Sequence, residues 1–209
     1  GADSPRVVVD GHMDEVGFMV SMITDDGFIR FVPLGGWWNQ VMLGQRVTIK
    51  TYSGDVPGLI GAKPPHLMEA EEAKKLVEKK DMYIDIGASS AEQVKSSGVR
   101  SGDPILPVSP FTMLSPGKTY MAKAWDDRVG CALFIQLFER LAKGDHPNTI
   151  YGIGTVQEEV GTRGAKTSVH NINPDVAIIL EVDIAGDVPG IKPEESAIKL
   201  GKGPSLLLY

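Results

Sequence analysis

Short apolar stretches alternate with polar turns through the first half of the chain. Hydrophobic residues recur at strand-like spacing over residues 15–23, 27–33, 44–51, 55–61 and 82–87. Asp-Asp-Gly, Gly-Gly and Ser-Gly-Asp turns separate several of these stretches. Many short strands joined by turns are typical of a closed or two-layered sheet, so we predict a small β-barrel or β-sandwich.

Three other segments of this half have different patterns. Residues 69–79 are rich in Glu and Lys at spacings of three and four, which predicts a charged surface helix. A short helix is expected near residues 90–97, beginning at Ser89 or Ser90. Prolines at positions 104, 107, 110 and 116 then predict a loop-rich segment.

From about residue 120 the elements become longer and alternate between helix and strand. The pattern predicts helices over 127–142 and 163–170 and strands over 149–156 and 175–183. Together with a buried strand at 6–10, this order is typical of a parallel α/β sheet.

We therefore predict an α/β fold, with a mixed or parallel sheet and flanking helices, into which a β-rich, barrel-like domain is inserted. Residues 1–19 and 118–209 would form the α/β domain, and residues 20–117 the insertion. The chain starts almost directly in a strand and stays apolar to Tyr209, so we expect it to be part of a longer protein.

Acidic residues and one histidine stand at the predicted strand ends and before the long helix. They form four clusters, which are His12 with Asp14, Asp126 with Asp127, Glu158 with Glu159, and Glu181 with Asp183. One histidine with several carboxylates is a ligand set that suits Zn²⁺, Co²⁺ or Mn²⁺. A carboxylate beside such a ligand could act as general base toward water, so the pattern indicates a hydrolase with two metal ions.

Two of these clusters also have a simpler interpretation. Asp126 and Asp127 could cap the helix that follows them, and Glu158–Glu159 could be a solvated pair. Asp10 is interpreted as a strand-end, hydrogen-bonding residue. The other histidines are interpreted as structural or solvated, and the Trp37–Trp38 pair as a core or subunit contact rather than a sugar platform; these histidines are His66, His146 and His170.

The composition of the 209 residues narrows the functional classes only slightly. A net charge of −6 argues mildly against nucleic acid or an anionic membrane as partner. Cys131 is the only cysteine, which excludes an internal disulfide and a thiolate metal cluster. We expect a cytoplasmic protein, and we interpret Cys131 as a core residue.

Six motifs, in order along the chain, resemble those of the M42 family of metalloaminopeptidases. They are His12-Met-Asp14-Glu15-Val-Gly, Gly-Ala-Lys-Pro-Pro-His66-Leu, Asp85-Ile-Gly-Ala-Ser-Ser, Ala-Trp-Asp126-Asp127-Arg-Val-Gly-Cys, Gln-Glu158-Glu159-Val-Gly-Thr-Arg-Gly-Ala and Asp183-Ile-Ala-Gly-Asp-Val-Pro-Gly. The family includes glutamyl and tetrahedral aminopeptidases, and some members were named endoglucanases.

The resemblance assigns a role to each matching residue. It implies metal ligation by His12, Asp126, Glu159 and Asp183, with Asp126 bridging two ions. It implies that Asp14 orients His12 or its metal, that Glu158 is the general base, and that a strained or cis peptide occurs at Asp126–Asp127. We expect the four ligands to converge at the carboxyl edge of the sheet.

The resemblance further implies two divalent ions per complete subunit, short peptide substrates, and homo-oligomers from dimers to dodecamers. The family's second ligating histidine lies beyond residue 209, so we expect these 209 residues alone to be inactive. Two other functions stay open. A glycoside hydrolase needs only two carboxylates and leaves His12 unexplained, while a non-catalytic scaffold would fit the absent ligand.

Overall fold

The computed structural model describes the backbone of residues 2–207, and their side chains from residue 5 onward. Leu208 and Tyr209, in the apolar end noted above, lie outside the described residues. The chain divides into two compact units. The first contains the residues up to Met13, Trp125–Thr155 and those from Thr167 onward; the second contains Asp14–Ala124 and Val156–Lys166. The domain boundaries inferred from the sequence stay a prediction.

The first unit contains the parallel sheet that the sequence predicts. Strand β1 (Ala2–His12) lies in the centre, between strand β10 (Asn148–Thr155) and strand β11 (Val176–Ile179). Both neighbours run parallel to it. Val8 and Val9 are buried, as expected for β-branched residues of a central parallel strand. The strand predicted over 175–183 ends at Ile179, because β1 pairs with β11 only through Asp10.

Helix α3 (Trp125–Leu141) packs on this sheet. Its contact with β10 is close at Gly152, where an added Cβ would lie 2.5 Å from a Phe138 ring carbon. The backbone angles of Asp126 and Asp127 are not helical, and the peptide bond between them is cis. Asp127 Oδ1 accepts the N–H of Gly130 at 3.0 Å, so Asp127 makes the helix-capping contact that was the simpler interpretation of this residue.

The second unit contains a closed barrel, which decides between the two architectures that the sequence left open. Its strands are β2 (Gly17–Ile23), β3 (Ile29–Leu34), β4 (Arg46–Thr51), β5 (Gly54–Gly61), β6 (Tyr83–Asp85) and β7 (Pro104–Pro107). They follow one another in the order β2-β3-β6-β5-β4-β7. Large apolar side chains fill the interior, including Phe18, Ile29 and Ile105.

Two predictions about this unit were wrong. The segment with prolines contains β7, which joins the barrel because Pro104 and Pro107 stand at the strand ends, where a missing N–H does least harm. The helix over 69–79 is reduced to α1 (Ala70–Ala73) and a 3₁₀ turn at Lys79–Asp81. None of the residues in these two elements is buried, so propensity and surface ion pairs alone cannot hold a long helix.

The remaining elements are short or follow the prediction closely. Helix α2 (Ala91–Ser96) begins after Ser90, whose hydroxyl accepts the N–H of Gln93. Strands β8 (Thr112–Ser115) and β9 (Thr119–Met121) form a hairpin, and helix α4 spans Arg163–Ile172. Within residues 2–207, no helix combines the length and apolar character that a bilayer crossing requires.

Candidate metal centre

His12 lies at the carboxyl end of β1 and faces two carboxylates of the first unit. Its side chain is 2% exposed. The Nε2 atom lies 2.8 Å from Asp126 Oδ1 and 3.7 Å from Glu181 Oε2. Both carboxylates are about half exposed. A buried imidazole thus presents one nitrogen toward acids that water can still reach.

The backbone of His12 is held from two directions within the same unit. Its position in β1 pairs with Thr155 of β10, and the next residue, Met13, donates its N–H to Thr155 O at 2.8 Å. The His12 N–H is donated to Asp127 Oδ2 at 3.2 Å. Asp127 is fully buried, so this carboxylate connects the end of β1 to the start of α3.

Negative charge is in excess around His12. Burial raises the pKa of Asp10 and of Asp127, and partial burial raises that of Glu181, with Asp127 and Asp126 adding repulsion. Asp10 is 7% exposed, and its Oδ1 has no hydrogen-bond partner among the described residues. Several carboxylates that resist ionisation around one imidazole fit a divalent cation, which would compensate their charge.

Glu181 is the carboxylate that sequence reasoning did not assign. The run Ile178-Ile179-Leu180 leads into it as Val7–Val9 leads toward His12, and that similarity was an available signal. Asp183, which the resemblance selects as a ligand, lies further along the chain and is exposed. Its Oδ1 accepts the N–H of Ile184 at 2.7 Å, and Ser205 Oγ lies 3.5 Å from its Oδ2. Ligation by Asp183 stays a prediction.

The Glu158–Glu159 pair belongs to the second unit and lies on a tight turn. Strand β10 ends at Thr155, and Gln157 has a positive φ of 59°. The carbonyl of Glu158 accepts the N–H groups of Gly161 and Thr162 at 2.8 and 2.9 Å. The turn frees the two successive side chains from the strict alternation of a strand.

The side chain of Asp14 binds the backbone of this turn. Its Oδ1 accepts the N–H of Glu158 at 3.0 Å, and its Oδ2 accepts the N–H of Glu159 at 3.2 Å. The side chain of Asp14 therefore uses both oxygens to order the acidic pair within the second unit. Its predicted action on His12 or a metal stays a prediction, as do the roles of Glu158 and Glu159.

The other singled-out residues mostly follow the simpler interpretation. His66, His146 and His170 are all exposed. Trp37 stacks on Phe18 with ring centroids 4.5 Å apart and donates its Nε1–H to Gly17 O, so it is a core contact. Its neighbour Trp38 is 66% exposed.

Comparison with known proteins decides the family. Residues 1–209 match the family model described as M42 glutamyl aminopeptidase. The chain belongs to the M42 family. The resemblance that we inferred from six motifs is thereby confirmed.

Relatives of this M42 chain are considerably longer than it is. FrvX of Escherichia coli (strain K12) is 46% identical over 211 residues, which cover 100% of this chain and 58% of FrvX. The crystal structure of a TET aminopeptidase from the archaeon Thaumarchaeota archaeon SCGC AB-539-E09 is 55% identical, with a TM-score of 0.95. The match covers 97% of this chain and 57% of that one.

A third relative carries information on assembly. The TET1 peptidase of Pyrococcus horikoshii, which can assemble into a tetrahedron or a large octahedral shell, is 33% identical with a TM-score of 0.79. That match covers 90% of this M42 chain and 58% of TET1. The M42 chain thus spans less than two thirds of the length of each of these relatives.

Proposed function

We propose that the complete protein is a metal-dependent aminopeptidase that removes N-terminal residues from short peptides. The observation that carries this proposal is the buried His12, whose Nε2 faces the carboxylates of Asp126 and Glu181. Membership of the M42 family supports the reaction class. A glycoside hydrolase would need only two carboxylates, and its mechanism would leave His12 without a role.

Residues of the first unit would hold one divalent ion. His12 and Asp126 are the primary candidates, and Glu181 is placed to complete three protein ligands, the number typical of an open catalytic site. Glu159 and Asp183 keep the ligand roles that the family resemblance gives them. Bound Zn²⁺, Co²⁺ or Mn²⁺ would polarise the scissile carbonyl and lower the pKa of a water molecule.

Glu158 would act as the general base and then as the general acid of the reaction. Its carboxylate would take a proton from the attacking water and later give a proton to the leaving amine. Asp14 supports this role because it fixes the Glu158 N–H and the Glu159 N–H together. Asp127 has a comparable task for His12, whose backbone N–H it accepts.

Assembly and cellular location are two further parts of the proposal. We propose a homo-oligomer, since the related TET1 peptidase assembles into closed shells, and that the barrel-containing insertion over residues 20–117 mediates self-association. Trp38 and Val41 of this segment expose apolar surface that a second subunit could cover. We place the protein in the cytoplasm, as expected from its cysteine usage.

The test uses the complete protein, stripped of metal by a chelator and reloaded with Zn²⁺, Co²⁺ or Mn²⁺. Glutamyl, leucyl and lysyl p-nitroanilides report aminopeptidase activity, and carboxymethyl cellulose reports glycosidase activity. We expect hydrolysis of at least one anilide, lost on chelation and restored by metal. Cellulose hydrolysis that survives chelation would contradict the proposal.

A pair of histidine variants localises the metal. His12→Ala should lower the metal content and abolish turnover, whereas His146→Ala, which alters an exposed loop residue, should leave both unchanged. The 209 residues alone should bind no more than one ion tightly in a calorimetric titration and show no anilide hydrolysis. Two tight sites with turnover would show that a residue of this chain replaces the second histidine.

A further inference from the structure

Glu15 forms an ion pair that the proposed reaction leaves unused. Lys123 Nζ donates to Glu15 Oε1. The Glu15 side chain is only 7% exposed, and that of Lys123 is 31% exposed. A carboxylate so far removed from water is costly to bury unless it is paired, so the contact with Lys123 stabilises Glu15 in this position.

The pair lies beside the residue that holds the acidic turn. Glu15 follows Asp14, which accepts the N–H groups of Glu158 and Glu159. Residues 13–16 form neither helix nor strand. Side-chain contacts therefore contribute strongly to the conformation of this connection, with Asp14 engaged by the 158–159 turn and Glu15 by Lys123.

We propose that Glu15 and Lys123 form a positioning pair that holds Asp14, and through Asp14 the Glu158–Glu159 turn, in the geometry that the reaction requires. This inference rests on the proposed function. Loss of the ammonium would leave the Glu15 carboxylate without its cation in a largely dry site. The Glu15 carboxylate would then turn toward water, and that movement would disturb the adjoining Asp14.

The physical alternative is that the pair only stabilises the second unit. An exposed pair in the same unit gives a matched comparison. Lys50 Nζ lies 2.7 Å from Asp55 Oδ2, and both side chains are about half exposed. Lys50→Met removes the same charge from a pair of the same type, and neither Lys50 nor Asp55 has a role in the proposed reaction.

The experiment uses the complete, metal-loaded protein with Lys123→Met, Lys123→Arg and Lys50→Met. Steady-state kinetics on an aminoacyl p-nitroanilide give kcat and KM, and elemental analysis gives the metal content. Hydrogen exchange followed by mass spectrometry on peptides covering residues 157–164 reports the Glu158 and Glu159 amides without reference to activity. If Lys123→Met does not fold, the Glu15→Gln/Lys123→Met double variant, which removes both charges, is measured in its place.

We expect Lys123→Met to lower kcat by about 10- to 100-fold, the range that a small misplacement of catalytic groups can cause. KM should stay within about twofold and the metal content unchanged, since uniform substrate binding is not removed. The Glu158 and Glu159 amides should exchange faster. Lys123→Arg should restore both properties, and Lys50→Met should match the wild type.

Three results would overturn the inference. In the first, Lys123→Met has the same kcat as Lys50→Met. In the second, Lys123→Met loses kcat while hydrogen exchange at residues 158 and 159 is unchanged. In the third, Lys123→Arg restores neither kcat nor the slow exchange. Failure of the proposed function is a separate result, because the unmodified, metal-loaded protein would then hydrolyse no anilide. The exchange measurement would still decide whether Lys123 orders the turn.

Discussion

Gly11 occupies the place where β1 comes closest to the start of α3, and its replacement by alanine tests this contact. An added Cβ would lie 2.9 Å from Asp127 Oδ2, Cys131 N and Gly130 C. Two of these are backbone atoms, so a side-chain rotation cannot relieve the overlap. Ordinary contact for a Cβ begins at 3.4 Å, so strand and helix must separate by 3.4 less 2.9, or about 0.5 Å.

The expected cost follows from the size of this shift. Overpacking a close contact typically destabilises a protein by about 1–3 kcal/mol. At about 2–4 °C per kcal/mol for a domain of this size, Gly11→Ala should lower Tm by about 2–12 °C. The shift also moves Asp126 relative to His12, so metal affinity should fall by about 10- to 100-fold, as when ligand orientation is disturbed.

Thermal unfolding of the metal-free complete protein and calorimetric titration with Zn²⁺ measure the two effects separately. Gly144→Ala is the matched control, because a Cβ at Gly144 meets no atom within 4 Å. It should leave metal affinity unchanged and Tm equal or slightly higher, since alanine restricts the unfolded chain. If Gly11→Ala matched Gly144→Ala in both measurements, the close packing of β1 on α3 would not hold the ligands as argued.

Three further predictions concern the base, the metal ligands and the barrel core. Glu158→Gln should retain its metal by elemental analysis but lower kcat by about 10²-fold or more, and a near-normal rate would remove Glu158 as the base. Glu181→Ala should reduce Zn²⁺ affinity more than Asp183→Ala does, and the reverse order would return the ligand role to Asp183. Trp37→Ala should destabilise the protein by about 3 kcal/mol in urea unfolding because it removes the stack on Phe18. Trp38→Ala should be nearly neutral, and equal effects would contradict the assignment of Trp37 to the core.

Elements with a strong apolar pattern were predictable, and those without an apolar face were not. The buried strand β1 and the barrel strands are recognisable in the sequence from their β-branched and aromatic residues. The charged segment 69–79 has a helical composition but buries nothing in its two short elements. The opposite charges of this segment predict a helix from local pairs, whereas its contact with the barrel core is made by Val77, which lies between the two short elements.

The candidate site residues were also predictable only in part. Ligand-type residues at strand ends could be identified from the sequence. The residues that follow parallel strands lie together at the carboxyl edge of the sheet, where sites of this kind form. The apolar run alone does not separate Glu181 from Asp183, since both follow it, and the family resemblance selected Asp183. The position of Glu181 near His12 follows from where β11 stops, and β11 stops at Ile179, where its pairing with β1 ends.

The sequence by itself thus determined the fold class, the strands and helices with a strong apolar pattern and the family, because hydrophobic periodicity and local motifs are properties of neighbouring residues. Only the tertiary structure decided that the insertion is a closed barrel, that Glu181 faces His12, and that Asp14 holds two amides at residues 158 and 159. The last two contacts join residues more than a hundred positions apart, and the geometry of all three features depends on strand register and close packing. Neither is encoded in any short stretch of sequence.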